Sequence, residues 1–211
     1  MKRLSIFLLF VLIFIAGSAA WYYSKLHSNK RVSNHRVVNS PAAESQRIAE
    51  HAVTASAYAA QHGLSNDLFF LIDMRIASGK PRFFVYDNKA KQTILEGLVT
   101  HGRCNQNWLE GRRYGNEPGC GCTSLGKYKV GNPYRGRFGL AYKLYGLEST
   151  NSHAFDRFVV LHSMQCVPEA AVDPYPICQS DGCPTVSPHF LKTLAPIIDK
   201  STAPLLLWIY E

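Results

Sequence analysis

Apolar positions change texture three times along the 211 residues. Leu4 to Ala20 is an almost unbroken apolar run, too long for a strand. Residues 43–62, AESQRIAEHAVTASAYAAQH, place Ile48, Ala52, Ala55 and Ala59 at helical spacing, and Gly63 offers a stop. This predicts a helix packed along one small-residue face. From Leu68 onward the runs shorten and gain aromatic and β-branched residues: LFFLIDM, PRFFVYDN, QTILEGLVTHG, the glycine-punctuated LGKYKVGNPYRGRFGLAYKLYGL, RFVVLH and PLLLWIYE. ASGKP and Asn88–Lys91 read as turns. One helix interrupts this series. Ser187 is placed to cap it, Pro188 suits its first position, and Phe190, Leu191, Leu194, Ile197 and Ile198 form its stripe. The expected class is mainly β with a few helices, lacking the strand–helix alternation of a parallel α/β sheet. No internal repeat is visible.

The first 23 residues support two readings. Lys2 and Arg3 precede the apolar run, and Ser18-Ala19-Ala20 supplies a small-x-small site, as in a secretory signal. Leu4 to Tyr23 is also about as long as a bilayer span, with Trp21 to Tyr23 suited to the interface. Basic residues flank both ends, so the positive-inside rule does not choose. Either reading sends the rest of the chain out of the cytosol. The expected layout is a signal anchor or signal peptide over 1–23, a polar linker over 24–42, a helical lead-in over 43–63 and the chemistry-bearing domain over 64–211.

Charge changes the picture once it is located. The net charge of +8 suggests a polyanion binder, yet residues 1–36 carry six of the 23 basic residues and none of the 15 acids. The remainder holds 17 basic against 15 acidic residues, so the domain lacks a basic stripe and nucleic acid is rejected as a partner.

Six cysteines fit an exported protein: Cys104, Cys120, Cys122, Cys166, Cys178 and Cys183. Three disulfides would account for all of them. Cys183 suggests another use. It sits in QSDGCPTVSP, where Gly182 allows a tight backbone path and amide N–H groups can converge on an oxyanion. Pro184 has no N–H, so the donors must come from Asp181, Gly182 and Cys183. His162 ends the apolar run FVVLH and is a base held on a strand. Such a histidine beside a cysteine on a turn suits acyl transfer. From spacing alone, this pair weighs no more than a buried histidine beside a Cys178–Cys183 disulfide.

At these residues the chain resembles the L,D-transpeptidase (YkuD-type) family, specifically its murein L,D-transpeptidase catalytic domain branch. FFLIDM, SGKPRFFVYD, VTHGR, NEPG, TSLGKY, GLAYKLYGLE, FVVLHS and SDGCPTVSP occur in the expected order over about residues 68–211. The resemblance implies a β sandwich or barrel with a helix after the nucleophile, and no cofactor. It implies that Cys183 attacks the carbonyl of residue three of a peptidoglycan stem tetrapeptide, forming a thioester. His162 takes the thiol proton, and Ser163 orients that ring through its carbonyl. The amides of Asp181, Gly182 and Cys183 form the oxyanion hole. VTHGR also ends a strand, and His101 is expected with Ser180 on the substrate side. The expected partners are stem peptides and, through the N-terminal segment, the membrane; the expected location is the periplasmic side of the inner membrane. Asp181 departs from the family pattern, which has histidine there, and a carboxylate beside the nucleophile disfavours the thiolate.

Three alternatives stay open. The same site serves an L,D-carboxypeptidase or a hydrolase releasing wall-linked protein if water is the acceptor. A disulfide-stapled wall-binding module would have Cys183 oxidised. A thiol–disulfide oxidoreductase is disfavoured, because Cys120 and Cys122 are spaced C-x-C. His101, Cys104, Cys120 and Cys122 could hold zinc, although a disulfide from Cys104 to Cys120 or Cys122 is the stronger expectation. A Cys166–Cys178 disulfide is expected to close the VPEAAVDPYPI loop.

Overall fold

A computed structural model describes Gly17, Ser18 and residues 40–211. The expected anchor or signal and nearly all of the linker lie outside the described residues. Among the described residues no helix is long and apolar enough to cross a membrane.

Helix α1 covers Pro41–Gln61. Ser40 caps it by accepting from Ala43 N–H at 3.2 Å, with proline in the first turn. Its buried face is Ile48, Ala52, Ala55 and Ala59, side chains small enough to let the helix approach a sheet closely. Gly63 ends it in the left-handed region at φ +64°.

Eight strands follow: β1 (Leu68–Asp73), β2 (Phe83–Asp87), β3 (Gln92–Gly97), β4 (Gly126–Gly136), β5 (Gly139–Gly146), β6 (Val160–Ser163), β7 (Thr185–Val186) and β8 (Leu206–Tyr210). They form one sheet in the order β3-β2-β1-β8-β4-β5-β6-β7. Most neighbours are antiparallel, but β1 runs parallel to β8, and β6 parallel to β7. The continuous apolar run of β1 has a direct cause. Phe69 and Leu71 face α1 with Phe84, Leu206 and Tyr210. Phe70 and Ile72 face the main core with Phe83, Tyr128, Leu144, Leu161 and Leu207. A strand buried on both faces reads as unbroken rather than alternating. Each fully buried Phe or Leu contributes about 1.5–3 kcal/mol relative to exposure.

Helix α2 (Pro188–Asp199) lies in the main core through Phe190, Leu191 and Leu194. Phe190 meets Phe83 edge-on, with ring centroids 5.4 Å apart. This helix therefore shares its core with Val186 of the edge strand β7 and with Val85 of β2, one strand in from the opposite edge. The mainly β class and the helix after Cys183 are both found.

Candidate active site

The site is built on the parallel pair β6–β7, which sets His162 opposite Thr185. Cys183 lies two residues before Thr185, on the turn that enters β7. That turn depends on Gly182, whose φ is +112° and where a Cβ would lie 2.6 Å from Cys122 O. Only glycine avoids both the unfavourable φ and the clash. The β6–β7 pair and the turn entering it thus hold both Cys183 and His162, although 21 residues separate them in the chain.

His162 is buried, and its hydrogen bonds fix the tautomer. Nδ1–H donates to Ser163 O at 3.2 Å, which leaves Nε2 with its lone pair. Nε2 faces Thr185 Oγ1 at 3.1 Å. Phe138, from the turn joining β4 and β5, stacks on the ring with centroids 4.2 Å apart. Burial holds the His162 pKa below the ordinary range, against a smaller upward pull from the Ser163 carbonyl.

Cys183 is a free thiol. Its S–H donates to Phe158 O at 3.8 Å. Burial pushes its pKa up, the Val160 backbone and Arg157 pull it down, and Asp181 adds a smaller upward push. Burial thus shifts the Cys183 thiol and the His162 imidazole each toward its neutral form. Asp181 is 72% exposed at its side chain and pairs with Arg103 at 2.7 Å, which explains why its field on the thiol is small.

The Cys183 carbonyl gathers three hydroxyl donors: Ser180 Oγ at 2.7 Å, Thr100 Oγ1 at 3.3 Å and Thr185 Oγ1 at 3.3 Å. Ser180 Oγ also accepts from Gly182 N–H at 3.2 Å. Thr100 is held in turn by its neighbours, because Arg82 donates twice to Val99 O, at 2.9 and 2.7 Å. Arg82 is fully buried, and burial together with Arg112 lowers its pKa to about 9, so it stays charged at neutral pH.

Sequence reasoning places His101 and Ser180 on the substrate side. In the structure, Ser180 binds the Cys183 carbonyl. His101 is buried beside Arg82, accepting from Nη2–H at 3.2 Å and donating through Nε2–H to Gly111 O at 3.1 Å. Burial and the charges of Arg82 and Arg112 lower its pKa to about 4.

The N-terminus of α2 does not serve as a thiolate site. Ser187 Oγ accepts from Phe190 N–H and donates to Glu169, whose carboxylate also accepts from His189 N–H. Glu169 comes from the loop closed by a Cys166–Cys178 disulfide. A second disulfide joins Cys104 to Cys122 and leaves Cys120 free. Tyr134, Lys143, Phe155, Phe158, Val159 and Val160 line a cavity of about 260 Å³, and Phe158 among them accepts from the Cys183 thiol. Sequence reasoning missed Thr100, Thr185, Phe138 and Arg157; the position of Thr185 two residues after the cysteine was the one local signal.

The profile of the L,D-transpeptidase catalytic domain matches residues 40–210, and the chain belongs to this family. No curated protein matches. Among solved structures, Enterococcus faecium L,D-transpeptidase (C442S mutant) is similar at 12% identity and a TM-score of 0.44, covering 70% of this chain and 50% of that one. The Campylobacter jejuni helical cell shape determining protein Pgp2 is similar at 13% identity and a TM-score of 0.45, covering 68% and 47%. An L,D-transpeptidase from Mycobacterium smegmatis gives 11%, 0.41, 69% and 59%. The chain thus spans about half the length of several of these proteins.

Proposed function

We propose that this domain is a cysteine-dependent L,D-transpeptidase that cross-links or remodels peptidoglycan through a thioester acyl-enzyme. The observation that carries the reading is a free Cys183 on the glycine turn into β7, two residues before the Thr185 that the strand ladder sets opposite a tautomer-fixed His162, in a chain of this family.

The chemistry starts from the thiol and the neutral imidazole. As Sγ bonds to the carbonyl carbon of stem residue three, the thiol proton passes to His162 Nε2. The oxyanion is met by backbone N–H groups at the turn. Asp181 and Cys183 supply the readier donors, because Gly182 N–H must first leave Ser180 Oγ. Collapse breaks the C–N bond, and His162 returns its proton to the departing D-alanine amine. An acceptor amine then gives a proton to His162 as it attacks the thioester, and the thiol is regenerated. The residues 1–23 would place this chemistry on the periplasmic side of the inner membrane, anchored or secreted.

The test is intact mass of the full-length protein after incubation with a stem tetrapeptide or a carbapenem, beside Cys183→Ala. The expected result is an adduct only where Cys183 is present, with a cross-linked product from the tetrapeptide and an amine acceptor. Free tripeptide as the sole product would replace transfer with hydrolysis. A Cys183 that forms no adduct would return the domain to a wall-binding role.

A further inference from the structure

The Thr185 hydroxyl touches both halves of the catalytic pair. It lies 3.1 Å from the reactive nitrogen of the base and 3.3 Å from the carbonyl of the nucleophile. Thr185 is fully buried, so water does not replace either contact. A hydroxyl has one proton, and its two neighbours each accept one. With His162 neutral, that proton goes either to Nε2 or to Cys183 O. With His162 protonated, Nε2–H donates to Oγ1, and the Thr185 proton can go only to Cys183 O.

We propose that Thr185 is a positioning residue that supports the imidazolium of His162 during acyl transfer. This inference rests on the Cys183–His162 reading above. When Nε2 receives the thiol proton, the buried cation needs a nearby acceptor, and among the described residues Thr185 Oγ1 is the one within hydrogen-bond distance of Nε2. Its own proton rotates from Nε2 to Cys183 O, so no proton is gained or lost by Thr185. The movement also tightens the contact to the nucleophile's backbone at the moment its sulfur forms a bond. A hydrogen bond to a charged partner is stronger than one between neutral groups. Thr185 therefore favours the protonated ring over the neutral one. Thr100 gives a built-in comparison, because it donates to the same carbonyl at 3.3 Å but makes no bond to His162.

The experiment uses full-length protein with Thr185→Val, Thr185→Ser, Thr100→Val and His162→Ala. Acylation of Cys183 by a carbapenem is followed by mass against pH, and the His162 ring is titrated by NMR without any acyl donor. The other groups acting on the pair are the Cys183 thiol itself, Arg157 and Asp181 through that thiol, and Arg137 over the Phe138 ring. None of these is altered by the variants. The expected result for Thr185→Val is acylation about 10- to 100-fold slower, with the His162 titration and the acid limb of the rate both moved to lower pH. Thr185→Ser restores both. Thr100→Val slows acylation without moving the titration. A His162 titration in Thr185→Val that coincides with the wild-type curve overturns the inference. Wild-type acylation that is unchanged by His162→Ala overturns the underlying reading instead, and the NMR titration still decides whether Thr185 supports the charged ring.

Discussion

At Gly182 a methyl group has nowhere to go, and the position therefore tests how the nucleophile is held. Gly182→Ala combines a left-handed φ with a 2.6 Å approach to Cys122 O. The expected cost is about 1–3 kcal/mol of stability, read from urea unfolding, together with slower acylation of Cys183. Phe138 tests the other partner. It covers the His162 ring, and burial is the main cause of the lowered pKa there. Phe138→Ala is expected to let the His162 pKa rise toward the ordinary imidazole range. The sign follows directly: the base must be neutral to accept the thiol proton, so the acid limb of activity moves to higher pH. An NMR titration of His162 checks this, and an unchanged curve would mean that Phe138 does not control solvation of the ring.

Helix α2 and the β4–β5 hairpin carry the argument to the scale of elements. Ser187 holds the first turn of α2 and binds Glu169 from the disulfide-closed loop. Ser187→Ala removes the cap and is expected to cost about 0.5–2 kcal/mol in urea unfolding. That cap was legible in the sequence, because Ser, Pro and an apolar stripe are local signals. His162 drew attention by ending an apolar run and Cys183 by following Gly182, yet spacing alone left the two no stronger than a disulfide, and the resemblance of the surrounding segments carried the choice. Thr185 and Thr100 were not legible. Their contacts span 23 residues to His162 and 83 residues to Cys183, so they depend on strand register rather than on spacing. β7 itself has only two residues, too few for any periodicity to show. Phe138 was hidden because a turn aromatic looks exposed, and in the structure half of it still is. Arg157 was likewise assigned nothing, since its bonds to Gly115 O and Ser124 Oγ bring together three distant segments.

Across the sheet, β8 is the strand through which β3-β2-β1 meets β4-β5-β6-β7, so the two halves are expected to unfold as one unit. Acid should weaken that unit through His101. Its folded pKa of about 4 lies below the ordinary value, so the unfolded chain binds the proton first as pH falls. The contribution is fully present above about pH 6.5 and is lost progressively toward pH 4, amounting to at most about 3 kcal/mol. His101→Gln keeps an acceptor for Arg82 and a donor for Gly111, and is expected to flatten the fall in urea-derived stability over that range. The unpaired Cys120 carries a separate consequence. It lies against the Cys104–Cys122 bridge, with its sulfur accepting from Cys122 N–H at 3.4 Å. Three sulfurs compete there for one bond, and the fold rather than the chain selects the partners. Oxidative renaturation from the reduced, denatured state should consequently yield isomers in which Cys120 has taken the place of Cys104 or Cys122, and Cys120→Ser should remove that class of isomers and raise the yield of the Cys104–Cys122 pairing.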